Sequence, residues 1–318
     1  MEFLEIMKPG MLSTIQDLGR KNYQFYGVSA CGAMDALSLR LANILVGNNE
    51  WEAGLEITML GPKIKFIKDG LIAITGADLS PMLNGETVPL WKSIKVYKGD
   101  ILDFGSIKYG CRSYLAMAGG IDVPPIMGSK STFLRGGYGG LEGRKLQKGD
   151  VICIGEMKAK TSFLARKLPP SYIPNYKENR MVRVILGPQN DAFTEEAIDL
   201  MLSTPYQIST NSDRMGYRLE GKALTHLNGP DIFSDFITAG SIQVPGNGQP
   251  IILMSDCQVT GGYTKIGVVI GVDLPYLAQR RPGDYVCFEE IDISEAQRLW
   301  KEQEKLLNLM NTVNYACV

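Results

Sequence analysis

Apolar positions fall mostly in short alternating or continuous runs separated by glycine turns, the pattern of half-buried and fully buried strands. Such runs occupy Lys63–Phe66, Leu71–Thr75, Ile94–Val96, Ile101–Phe104, Ser113–Ala116, Val151–Ile154, Val182–Leu186, Ile251–Met254 and Val286–Phe288. A turn signature recurs as Lys98-Gly99-Asp100, Lys148-Gly149-Asp150 and Pro282-Gly283-Asp284, each leading into an apolar strand. Glycine supplies the turn, and the aspartate is placed to bond nearby backbone amides.

Three stretches switch to helical spacing. The first follows Asp35 as N-cap, with Leu37, Leu41, Ile44 and Leu45 on one face and Gly47-Asn48 as the stop. A second begins at Thr194, with Glu195 and Glu196 in its first turn and Ile198, Met201 and Leu202 inward. The third, near the C-terminus, opens with Ser294 and Gln297 as a capping box and carries Ala296, Leu299, Trp300, Leu306, Leu307 and Met310 as a packing stripe. With few helices and no regular βαβ alternation, the expected class is mainly β, built as two barrel-like units. Prolines and scattered basic residues without a period mark a boundary, so residues 1–157 and 181–318 are the expected domains and 158–180 the linker.

Composition adds three constraints. Glycine is abundant, 35 of 318 residues against a usual ~7%, as many tight turns require. A net charge of −1 with mixed signs offers no basic stripe for nucleic acid. No leader-like start and no apolar run of membrane length occur, which sets cytoplasmic location as the expectation. Six scattered cysteines (31, 111, 153, 257, 287 and 317) without a C-x-x-C pair are expected to be reduced and structural. The single histidine, His226, excludes a His-rich zinc site, so no metal ligands are assigned, and acid–base chemistry falls to carboxylates, lysines or backbone groups.

Three glycine-rich segments carry the candidate chemistry. In Pro9 to Asp35, Gln16, Asp17 and Arg20 cluster around a glycine and Asp35 opens a helix, a set suited to an amide or carboxylate; local pairing of Asp17 with Arg20 and simple capping by Asp35 is the competing reading. The segment GSKSTFLRGGYGGLEGR, Gly128 to Arg144, offers exposed amides with Arg135 and Arg144 as an anion cradle, though it matches neither the P-loop nor the dinucleotide fingerprint. From Asp231 to Lys265, Gln243, Asn247, Gln249, Asp256, Gln258 and Thr260 flank an apolar strand at a density suited to a lactam or urea, and Arg214 lies in the nearby SDRMGYRLEG. Glu156-Met157-Lys158-Ala159 lacks the flanks of a biotin attachment site, so no biotin is expected on this chain.

The motifs PGMLSTIQDLGR, CGAMDALS, ANILVGN, LEITMLGP, GSKSTFLRGGYGG, DRMGYRLEG, IQVPGNGQPI and QVTGGYTKIG, in that order over about residues 3 to 291, resemble the C-subunit family of bacterial ATP-dependent 5-oxoprolinases, also known as allophanate-hydrolase-subunit-2-like proteins or kinase-inhibitor antagonists. The resemblance implies a pair of cyclophilin-like β-barrels working with the 5-oxoprolinase B subunit (KipI-like) and the A subunit (LamB/YcsF-like). Together such subunits open the lactam of 5-oxo-L-proline to L-glutamate with ATP, any Mg being shared with the partners. Related alternatives are the carboxyltransferase part of a biotin-dependent urea carboxylase and a non-catalytic antagonist of a kinase inhibitor. Under the resemblance, Asp17, Asp35 and Asp256 take catalytic roles, Gln16, Arg20, Gln243 and Gln258 bind substrate, and Arg135, Arg144 and Arg214 bind phosphate or another anion. The chain departs from the family's usual residues at Ser29-Ala30-Cys31, Cys257 and Val259, where substrate preference is expected to diverge.

Overall fold

The computed structural model describes residues 1–156 and 166–312. The chain forms two compact units that interleave in sequence: Met1–Arg20, Cys31–Lys177 and Lys305–Val318 make the first, Lys21–Ala30 and Glu178–Glu304 the second. Met157, Lys158 and most of the basic stretch after them lie outside the described residues, as does Cys317.

Unit 1 comprises β1 (Glu2–Lys8), β2 (Leu12–Gln16), α1 (Ala36–Val46), β3 (Gly54–Thr58), β4 (Lys63–Phe66), β5 (Gly70–Asp78), β6 (Pro81–Leu83), β7 (Glu86–Thr87), β8 (Ser93–Val96), β9 (Ile101–Phe104), β10 (Tyr109–Met117) and β11 (Val151–Cys153). They form two sheets, ordered β11-β1-β4-β9-β6-β7 and β2-β3-β10-β5-β8. Side-chain alternation explains how β5 and β10 serve two layers at once. Ile72, Ile74, Leu115 and Met117 enter the main apolar core with Phe3 and Phe66. Their neighbours Leu71, Ala73, Ala116 and Ala118 face the opposite way, against Ala42, Leu45 and Val46 of α1. Small residues on that outer face let the helix lie close. Residues 166–168 pair with the strand region around β8, Leu168 donating to Trp91 O at 2.9 Å, and Leu168 and Tyr176 join Leu41, Ile44, Leu307 and Met310 in a second buried cluster.

Unit 2 contains β12 (Val182–Leu186), α2 (Glu195–Ser203), β13 (Tyr206–Ile208), β14 (Gly216–Glu220), β15 (Asp231–Phe236), β16 (Ser241–Gln243), β17 (Ile251–Leu253), β18 (Thr260–Tyr263), β19 (Lys265–Val269), α3 (Leu274–Ala278), β20 (Tyr285–Val286), β21 (Phe288–Glu290) and the start of α4 (Ile293–Thr312). One sheet runs β20-β13-β14-β17-β16-β19-β12-β21, and β15 pairs with β18 in a separate ribbon. The only parallel neighbours among these described pairs are β12 and β21. Val182, Val184, Tyr206, Ile242, Ile252 and Phe288 are fully buried. The fold is mainly β, with a nearly closed barrel-like sheet and four helices among the described residues.

The turn signature behaves as its chemistry predicts. Asp100, Asp150 and Asp284 each accept a hydrogen bond from the backbone N–H three residues earlier, at 2.7–2.8 Å. The caps of the first two helices also match: Asp35 accepts from Ser38 N–H, Thr194 from Ala197 N–H, and Gly47 closes α1 in the left-handed conformation. Three expectations need correction. The helix α4 begins earlier than a cap at Ser294 would place it, and Asp292 accepts from Glu295 N–H at 2.9 Å instead. Trp300 is not a buried member of the stripe; it is 47% exposed, with its ring edge resting over Gly271. The run Val286–Phe288 is two strands broken at Cys287, because β20 pairs with β13 whereas β21 pairs with β12.

Candidate functional site

Of the ten candidate residues, Gln16, Asp17, Arg20, Asp35, Arg135 and Arg144 belong to unit 1, and Arg214, Gln243, Asp256 and Gln258 to unit 2. In unit 1 the first and second glycine-rich segments meet. Strand β2 ends at Gln16, and the chain turns there so that Asp17 faces the backbone of residues 129–131. The Asp17 carboxylate accepts from Ser129 Oγ at 2.7 Å, Ser131 Oγ at 2.5 Å, Lys130 N–H at 2.6 Å and Gly19 N–H at 2.8 Å. Three of these donors converge on Oδ1 and one reaches Oδ2. Asp17 does not pair with Arg20; it shapes the loop that holds Arg20.

Arg20 is fully buried and donates Nη2–H to the Ser131 carbonyl. Its guanidinium lies over the Tyr138 ring, 4.8 Å from the centroid, a cation–π contact. The atoms Nε and Nη1 are enclosed without a hydrogen-bond partner. Gln16, also fully buried, donates Nε2–H to Thr14 Oγ1 at 3.1 Å and to the Thr132 carbonyl at 3.2 Å, leaving Oε1 enclosed and unpartnered. Gly139 packs into the same place: a Cβ there would overlap Ser131 O and Arg20 Nη2, on a backbone with φ of +76°. A buried donor or acceptor without a partner is uncommon and calls for a cause. Three such atoms sit on Gln16 and Arg20, whose side chains are held by the consecutive carbonyls of Thr132 and Ser131.

Asp35 is placed differently. Its carboxylate caps α1 through Ser38 N–H and Ser38 Oγ, and its N–H donates to Tyr114 Oη at 2.8 Å. Tyr114 Oη in turn donates to Glu56 Oε2 at 2.8 Å, and Glu56 also accepts from Met34 N–H at 2.8 Å. Burial, reinforced by Glu56 and Asp35, pushes the Tyr114 phenol well above its ordinary pKa, so it serves as a donor at all physiological pH. Asp35→Ala is expected to cost about 1–2 kcal/mol through the lost cap, read as a lower denaturant midpoint, with Asp35→Ser recovering most of it.

The two arginines of the glycine loop differ. Arg144 is saturated by Asp150, with bonds of 2.7 and 2.9 Å, and by Glu142 at 3.0 Å. Arg135 is exposed. In unit 2, Arg214 and Asp256 bind each other side-on, both bonds 2.9 Å and both side chains 6% exposed. Gln243 is buried, donates weakly to Tyr263 O at 3.4 Å, and lies tight against Gly261. Gln258 is half-buried on the same stretch as Asp256. Beside them, burial and the Asp256 charge push the Cys257 thiol up to about 11, which keeps it protonated and unsuited to nucleophilic attack at neutral pH. His226 bonds Val244 O and Thr264 Oγ1 through Nε2, both at 3.1 Å, and stacks near Phe193; its contacts are structural.

Several residues of the site escaped sequence reasoning. Ser131, Thr132 and their neighbours were visible as polar residues before the glycines, but Tyr138 carried no signal, and Glu56 only that of a lone acid in an apolar strand. Lys265 is a further case: buried, it donates to Asp235 at 2.5 Å and to Phe236 O at 2.8 Å. That pairing holds the Asp235 carboxyl below its usual range.

Among the described residues no helix is long and apolar enough to cross a membrane. Comparison with known proteins places the chain in a family. Residues 26–290 match the carboxyltransferase domain, subdomain A and B. The chain is 40% identical to the C subunit of 5-oxoprolinase from Escherichia coli, over 95% of its own length and 96% of the relative's. Against the corresponding C subunit from Haemophilus influenzae the identity is 37%, with 98% of each covered. The crystal structure of Kluyveromyces lactis urea carboxylase superposes with a TM-score of 0.87 at 32% identity, covering 97% of this chain and 29% of that one. The coverage of the family pattern and of both relatives leaves one conclusion: the chain belongs to the carboxyltransferase subdomain A and B family, alongside the 5-oxoprolinase C subunits.

Proposed function

We propose that the chain is the C subunit of an ATP-dependent 5-oxoprolinase, opening 5-oxo-L-proline to L-glutamate together with the A and B subunits. The observation that carries this reading is the end-to-end likeness to relatives of that name, 40% identical across 96% of the Escherichia coli protein. The side-chain types of Gln16 and Arg20 suit the substrate's chemistry: a lactam acid presents a carboxylate for a guanidinium and an N–H for an amide oxygen. In this reading Asp17 positions the loop that holds Arg20 and Asp35 caps α1, while Arg214 and Asp256 pair in unit 2. An amide carbon is a poor electrophile, and phosphorylation of its oxygen would make it open to water. Arg144 and Arg214 are already saturated by carboxylates, so we assign ATP, and any Mg with it, to the assembled complex and not to this chain alone.

The test is glutamate release from 5-oxoproline and ATP by the chain purified with its A and B subunits. Product from the full set, and none when this chain is withheld, is the expected result; an intact complex that forms no glutamate overturns the reading. The likeness to urea carboxylase supports a second one, a carboxyltransferase component serving a biotin-dependent urea or amide carboxylase. Transfer of CO₂ from carboxybiotin to urea by this chain would select it.

A further inference from the structure

Unit 2 carries a groove that none of the candidate residues lines. Side chains alternate along β12 and β19, so Val184 and Val269 are buried while Ile185 and Val268, paired across the two strands, lie half-buried on the outer face. The first turns of α4 form the facing wall. Ile293, Ala296, Gln297, Trp300 and Lys301 fall three, four, seven and eight residues apart, the spacing of one helix face. Between strands and helix lies an open cavity of about 290 Å³. A Cβ at Gly271 would stand 2.9–3.0 Å from the Trp300 ring, so glycine at this position admits the indole as one wall.

The lining side chains are apolar except for Gln297 and Lys301. The cavity has room for roughly nine waters at ~30 Å³ each, and such walls offer them few hydrogen bonds. Replacing poorly bonded water by an apolar group is favourable. Ile293 is 59% exposed and Trp300 47%, so a ligand reaches this surface from solvent. The charges around the groove are unequal. On α4, Glu295 and Glu302 are both taken by Arg298, which lies outside the lining. Asp273, two residues beyond Gly271, is held by Arg180 and Arg183. Lys301, exposed and part of the lining, forms no ion pair among the described residues.

From this we infer that the groove binds a small amphiphilic monoanion, an aliphatic carboxylic acid whose chain lies on Ile185, Val268, Ile293 and Trp300 and whose carboxylate meets Lys301. The volume stands at the foot of the ~300–1,000 Å³ range of small-molecule sites. A neutral chain leaves the ammonium without a counter-ion, and a dianion brings more charge than one ammonium meets. The inference is independent of the 5-oxoprolinase reading.

The experiment is a titration of the full chain with octanoate, hexanoate and octanol, followed by tryptophan fluorescence. A chain laid against the Trp300 ring should shift its emission to the blue and saturate; Trp300→Phe removes the signal and so separates it from Trp51 and Trp91. Octanoate is expected to bind about tenfold more tightly than hexanoate, since two further methylenes leave water. It should bind about threefold more tightly than octanol, the effect of one exposed ion pair. That preference should fade in high salt and vanish in Lys301→Gln. Ile293→Glu, at an exposed position where the chain is expected to fold, sets a negative charge in the wall and should weaken octanoate more than octanol. A shift that does not saturate, equal affinity for octanoate and octanol, or unchanged binding in Ile293→Glu overturns the inference. A response that disappears when the A and B subunits are added assigns the groove to a contact between subunits and overturns it as well; one that persists in the complex supports it.

Discussion

Asp17→Ala is expected to be among the most damaging single substitutions in unit 1. The carboxylate is 8% exposed and accepts from Gly19, Lys130, Ser129 and Ser131 together. Each buried donor stranded by its loss costs about 1–3 kcal/mol. Water entering the vacated space recovers part of that, so a net loss of about 3–5 kcal/mol is expected, a large share of the ~5–15 kcal/mol that holds an ordinary domain. The check is the denaturant midpoint at unchanged slope. Asp17→Asn keeps one acceptor oxygen and should lose roughly half as much, since its amide opposes the Lys130 N–H. A change below about 1 kcal/mol in Asp17→Ala would show that residues 129–131 are held by their other contacts.

The second large effect concerns Arg214 and Asp256. Their two-bond pairing is nearly sealed from solvent, so removing either partner takes this counter-ion from a buried charge. Asp256→Ala is expected to cost about 3–5 kcal/mol, and Arg214→Met a similar amount. The informative comparison is the double variant Arg214→Met with Asp256→Leu, which removes both charges and should recover most of the loss, since buried pairs replaced by apolar residues are often close to neutral. If the double variant is as unstable as the singles combined, the pair acts independently with other neighbours and the coupling is small. Loss of glutamate formation in a stable double variant would mark the pair as part of the chemistry and not of the scaffold.

Much of the local structure was legible. Asp35 before an apolar 3.6-residue pattern, closed by Gly47, specified α1 with both caps, and the Gly-Asp turns specified where strands begin. These features depend on bonds spanning three or four residues, and the residues that make them are adjacent in the sequence. Legibility failed where pairing partners are remote. The two strands on either side of Cys287 read as one run because each is apolar; only their different partners, β13 and β12, separate them. Trp300 looked like part of a packing stripe, since spacing reports which face a residue is on and not whether anything covers it.

The candidate site divides the same way. The sequence by itself determined that Gln16, Asp17 and Arg20 lie together, that the serines of residues 129–131 precede a glycine run, and that the fold is mainly β. It also left open whether Asp17 pairs with Arg20. Tertiary structure decided that it does not: the serines and a backbone amide from 112–114 residues away take the carboxylate, and the guanidinium is drawn under Tyr138 with nitrogens to spare. The reason is physical. A hydrogen bond or turn is set by neighbours along the chain, whereas burial of a charge depends on which distant segments close over it, and no window of sequence contains both.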